Sequence, residues 1–270
     1  MPAIQLSRVR QQINELSWLF TQPEAFRRGL HGLFAFYADQ VYRPGQTTPS
    51  KALMPTYRVP PLLIQQLELA LHPLCQQNPK AALNLADELW MDTHFELRLV
   101  AAYLLGQLPL NLAEEVTIRL ERWCTPAQPL PLLNAVLVKS TYRLRAEAPH
   151  VLYDLAAAWL SSPSGSSQML GLKLLQPLIQ DPAFENLPEI FNRLKTPLAN
   201  LPPRYQAEAV EIIQTLARRS PMETAYFLRQ ILAQETTKDL LRMVRKTLPA
   251  FPSEQQEKLH LLLKEKERKS

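Results

Sequence analysis

The sequence predicts an all-α fold, a HEAT-like α-α superhelix of stacked helix pairs. Three observations predict it: apolar residues recur at helical spacing through most of the chain, prolines fall between these segments, and a core pattern repeats after 70 residues. Ile4, Val9, Ile13, Leu16 and Leu19 open the periodicity, and Leu62, Ile64, Leu67, Leu69 and Leu71 continue it. Segments 100–105, 132–138, 169–175, 210–216, 227–232 and 240–248 follow. Pro23, Pro61, Pro79, Pro149, Pro203 and Pro221 stand where a helix's first turn needs no N–H donor. Pro109, Pro163, Pro249 and Pro252 stand where helices should have ended. The pattern gives about 13 to 15 helices. Residues 43–59, rich in Pro, Thr and Gly, read as a long loop, so 1–58 form an N-terminal helical pair with its loop and 59–270 a continuous solenoid.

The repeat defines the architecture. Setting Pro79 on Pro149 places Leu85 on Leu155, Ala86 on Ala156, Leu89 on Trp159, Leu99 on Met169, Val100 on Leu170, Leu104 on Leu174, Leu105 on Leu175 and Leu108 on Leu178. A looser copy starts at Pro221 with Ala225, Phe227, Leu228 and Ile231. The elementary unit is therefore a helix pair of about 35 residues. Such a pair cannot bury its apolar face alone and must stack on its neighbours, with second helices lining a concave side.

Composition excludes several classes. An apolar fraction of 46% is too high for a disordered chain, and two cysteines cannot form a disulfide framework. No apolar run reaches the roughly 18 residues of a membrane span, and Arg8 and Arg10 interrupt any signal core, so a cytoplasmic protein without membrane partners is expected. The six glycines never take phosphate-loop spacing, so no nucleotide cofactor is expected. The five histidines show no H-x-x-x-H pairing. Asp92 and Thr93 beside His94 read as helix capping, and no metal is expected. Cys124 reads as an inert buried thiol, and no catalytic residue is assigned.

The charge is unevenly spread. Residues 238–270 hold nine basic and five acidic side chains and supply +4 of the net +5. Candidate phosphate contacts are Arg119 and Arg122 with the aromatic Trp123, then Lys139 and Arg143, Arg218 and Arg219, and Arg242, Arg245 and Lys246. Clusters at repeat spacing would form a stripe that tracks DNA or another polyanion.

Glu88-Leu89-Trp90 followed by Glu96, Arg98, Ala101, Ala102 and Leu105 resembles the second-repeat signature of the HEAT-like-repeat DNA alkylation repair proteins, the AlkD-like alkylpurine DNA glycosylases. Residues 120–123 (Leu-Glu-Arg-Trp) resemble that family's aromatic turn, and 217–221 its late helix junction. The resemblance covers about residues 55–250 and implies a basic concave surface that holds DNA. It also implies an aspartate a few residues after Trp123, but 125–128 read Thr-Pro-Ala-Gln, with no carboxylate to stabilise a cationic sugar. The expectation is a nucleic-acid-binding protein without glycosylase activity. The alternatives are a scaffold that grips a protein partner on its concave surface, and an active glycosylase with a displaced carboxylate.

Overall fold

The computed structural model describes residues 5–38, 54–234 and 236–269, with the side chains of 199, 200 and 269 excepted. Among these residues all regular secondary structure is helical, with no strand. Helix packing divides it into two compact units, 1–147 and 148–270. The first holds α1 (Leu6–Ser17), α2 (Pro23–Tyr37), α3 (Pro61–Gln77), α4 (Pro79–Trp90), α5 (Phe95–Gly106), α6 (Ala113–Trp123), α7 (Leu130–Ser140) and α8 (Tyr142–Glu147). The second holds α9 (Pro149–Leu160), α10 (Gly165–Gln180), α11 (Leu187–Asn200), α12 (Gln206–Arg219), α13 (Pro221–Gln234), α14 (Lys238–Thr247) and α15 (Ser253–Lys269).

Alternate helices form rows. In the first unit α1, α3, α5 and α7 pack in succession, and α2 packs on α4. In the second, α10, α12 and α14 form one row and α9, α11 and α13 the other. The N-terminal pair thus packs into the first unit, α1 on α3 and α2 on α4. Of the expected 43–59 loop, residues up to 53 lie outside the described ones, and 54–60 are non-helical.

The repeat is visible at the level of single residues. Helices α4 and α9 start at Pro79 and Pro149, and α5 and α10 start at Phe95 and Gly165, both 70 residues apart. Leu85, Ala86, Val100, Leu104, Leu105 and Leu108 are buried, as are their counterparts Leu155, Ala156, Leu170, Leu174, Leu175 and Leu178. Pro23, Pro61, Pro79, Pro149 and Pro221 open helices, and Pro203 opens a 3-10 turn. Three prolines break the punctuation rule: Pro73, Pro177 and Pro197 lie inside α3, α10 and α11. Each sits beyond the middle of its helix; Pro177 is buried, Pro197 half-buried and Pro73 exposed. In α3 the apolar phase also differs from the expected one. Leu63, Leu67, Leu71 and Cys75 face the core, while Leu62 and Leu69 are exposed. A leucine-rich helix offers two apolar stripes, and only packing selects between them.

Helices α5 and α7 approach closely at Gly106, where a Cβ would lie 1.9 Å from the Lys139 carbonyl oxygen. Cys75 and Cys124 are both buried and unpaired by disulfide. Burial pushes both thiols up to about 12.

Candidate functional site

The ten sequence candidates fall into two groups. In the first unit most are committed to the protein itself. Arg119 on α6 is buried and donates a fork of hydrogen bonds to Asp87 (2.9 and 2.6 Å) and another to Glu115 (2.6 Å). Charge-assisted hydrogen bonds from a buried guanidinium to two part-exposed carboxylates make it a clamp between α4 and α6 and occupy it within the protein. Trp123 is likewise buried, stacked on Trp90 with ring centroids 4.3 Å apart and planes 7° apart. It packs where a base platform was expected, because the α6 end turns its indole inward. Lys139 bonds Glu68 at 2.5 Å, and Arg143 bonds Glu147 and Gln76 at 2.8 and 3.0 Å. Arg122 is exposed.

In the second unit, Arg219 donates to the carbonyls of Ile179 and Asp181 at 2.7 and 2.8 Å, closing the C-terminal end of α10. Arg245 pairs with Glu267 on α15, so the basic tail is held by a carboxylate of its own. Arg218, Arg242 and Lys246 are exposed on the packed helices α12 and α14. The nearest carboxylate to Arg242 is Asp239 at 4.0 Å, and Arg218 and Lys246 have no side-chain partner among the described residues. Gln214 donates to the Lys246 carbonyl at 3.1 Å, which brings the ends of α12 and α14 together one turn before Arg218.

A second constellation lies in the first unit. His31 on α2 meets Asp92 and His94, in the turn between α4 and α5, and Tyr57 from the 54–60 segment. His31 Nε2 lies 2.7 Å from Asp92 Oδ2, and His94 Nδ1 lies 2.9 Å from Asp92 Oδ1. An ionised carboxylate only accepts, so both of these nitrogens carry the hydrogen. The backbone N–H of His94 donates to the same Oδ1 at 2.9 Å. Asp92 thus closes an Asx turn ahead of α5, where the sequence suggested a helix cap, and Thr93 is exposed. Burial alone would raise the Asp92 carboxyl, but hydrogen bonds from the His94 backbone, His94 and His31 outweigh it and hold it well below the usual carboxylate range. Tyr57 stacks on His94 at 4.7 Å, and its hydroxyl lies 2.7 Å from His31 Nδ1. Burial and the charges of Asp92 and Glu96 raise the phenol.

The signature residues build the frame of this constellation. Buried Glu96 accepts from Thr56 Oγ1 (2.6 Å) and from the backbone N–H groups of Tyr57 and Arg58 (3.1 and 2.7 Å), fastening the 54–60 segment over α5. Arg58 takes a left-handed φ of 53° there. Arg98 donates to the Asp92 carbonyl at 2.7 Å and lies 5.0 Å above the Trp90 ring. Spacing exposed Asp92 and His94 but not His31, which stands 61 residues before Asp92 and reaches it only by helix packing.

Comparison with family models, curated proteins and solved structures gives no match for this chain. Among the described residues no helix is long and apolar enough to cross a membrane.

Proposed function

We propose that this chain is a cytoplasmic nucleic-acid-binding protein of the HEAT-repeat type, similar to the DNA alkylation repair proteins in architecture but acting without base excision. The observation that carries this reading is the exposure of Arg218, Arg242 and Lys246 on adjoining helices α12 and α14, with no carboxylate closer than 4.0 Å among the described residues. Two cations without a side-chain partner among the described residues and a third held only loosely by Asp239 suit a phosphate backbone, where each neutralised phosphate releases counterions. Two further features support binding over excision. Residues 125–128 hold no carboxylate, and the Trp90–Trp123 stack leaves no open indole face at that turn to receive an extruded base.

The test is binding to labelled duplex and single-stranded DNA across a salt series, with Arg218, Arg242 and Lys246 changed to Glu together. Binding should weaken steeply with salt, and the variant's salt slope should fall by about 1 for each phosphate that is no longer neutralised. No binding at low salt overturns the reading. It would leave the scaffold alternative, which a different feature favours: a groove of about 720 Å³ between α11 and α13, lined in part by Phe191, Met222, Tyr226 and Phe227. Met222 and Tyr226 are exposed there, as apolar anchors of a protein contact would be.

A further inference from the structure

We propose that His31, Asp92 and His94 form a mononuclear site for a zinc-class divalent cation, bound by two imidazole nitrogens and one carboxylate oxygen, with water completing the coordination. Two histidines and a carboxylate are the donor set of such borderline cations, and three protein ligands plus an open position describe a site that retains water.

Geometry supports it first. One ligand atom from each of the three residues lies within 4.8 Å of the others. A tetrahedral ion with bonds of about 2.0 to 2.2 Å holds its ligand atoms roughly 3.3 Å apart. His31 Nε2 and His94 Nδ1 already address separate oxygens of one carboxylate at 2.7 and 2.9 Å. An ion takes the place of the shared hydrogens with adjustments on the order of an ångström, the scale of side-chain torsions on part-exposed imidazoles.

The surroundings support it independently. A metal-bound imidazole is normally oriented by a hydrogen bond at its other nitrogen. His31 has that partner in the Tyr57 hydroxyl, 2.7 Å from Nδ1. When an ion occupies Nε2, the imidazole hydrogen moves to Nδ1 and is donated to the Tyr57 oxygen, so the ring stays neutral and the contact is kept. Tyr57 also stacks on His94, and Arg98 holds the Asp92 carbonyl. The site is closed inside and open outside: the Asp92 side chain is 7% exposed, but those of His31 and His94 are 26% and 28% exposed. Arg27, whose guanidinium is 3.5 Å from Asp92 Oδ2, is a cation that opposes an ion there, and it is drawn off by Glu88 at 2.7 Å.

The test is calorimetric titration of the full chain with Zn2+, and absorption spectroscopy with Co2+, on the wild type and on His31→Gln, His94→Gln and Asp92→Asn, with His72→Gln as the control histidine. The wild type should bind a single equivalent of Zn2+ and show the intense visible bands of tetrahedral Co2+. Each ligand substitution should weaken binding at least tenfold, while His72→Gln should leave it unchanged. Tyr57→Phe, which removes no ligand and keeps the stacked ring, should weaken Zn2+ roughly tenfold and so decides the matter even where a ligand variant fails to fold. Absence of saturable Zn2+ binding to the wild type, binding unchanged in folded His31→Gln and His94→Gln, or equal weakening in His72→Gln would overturn the proposal.

Discussion

The α3/α5/α7 row of the first unit and the α10/α12/α14 row of the second are built alike and charged differently. On the first, Lys139 is held by Glu68 and His72 by Gln107, and beside it Arg143 on α8 is held by Glu147 and by Gln76 of α3. On the second, Lys173 lies 3.9 Å from Glu208, but Arg218 and Lys246 at the far end carry no partner among the described residues. The contrast teaches that a count of basic residues says little about a binding surface. What matters is whether the same fold has already supplied each cation with its counter-charge.

Five substitutions, the last two compared as a pair, break or sharpen this contrast. The largest effect is expected from Trp123→Ala, which empties the Trp90 stack and should cost about 3 to 5 kcal/mol. Urea unfolding should show the destabilisation while DNA affinity of the folded fraction stays unchanged. A fall in DNA affinity at unchanged stability would return Trp123 to the binding surface. Gly106→Ala comes next: its Cβ would meet the Lys139 carbonyl at 1.9 Å, so α5 and α7 must part, at a cost of about 3 kcal/mol in the same assay. Asp92→Asn follows. Because the folded carboxyl is held below its ordinary value of about 3.9, its contribution is present above that pH and is lost as the pH falls below it. The stability gap between wild type and Asp92→Asn should be about 2 kcal/mol at neutral pH and should narrow below about pH 4. Smallest is a difference between single charge reversals. Arg218→Glu should weaken DNA binding roughly tenfold at low salt, whereas Lys139→Glu should change it less than twofold in electrophoretic mobility assays.

Much of the fold was legible because its signals are local. Proline at a helix's first turn and the 70-residue recurrence from Pro79 to Pro149 depend on neighbours in sequence, and both mark true helix starts. The phase of α3 was not, since Leu62 and Leu69 are as apolar as Leu63 and Leu67 and only the facing helices decide. The candidate site was legible only as residue types. Arg119 and Arg122 look equivalent one turn apart, yet Asp87 and Glu115 claim the first, and the second is open. Asp87 is 32 residues away, and no spacing rule reaches it. The same holds for His31 and Asp92, whose meeting depends on how α2 packs against α4.

The two buried thiols give the first unit a chemical reporter that the second lacks. Alkylating reagents attack the thiolate, and with both groups pushed to about 12 and shielded in α3 and beside the end of α6, reaction near neutral pH waits for the helices to separate. The rate of maleimide capture at Cys75 and Cys124 is therefore a clock for transient opening of residues 1–147 alone. Added DNA that leaves this clock unchanged while protecting α12 and α14 amides from deuterium exchange would show that the two units breathe independently, each on its own timescale.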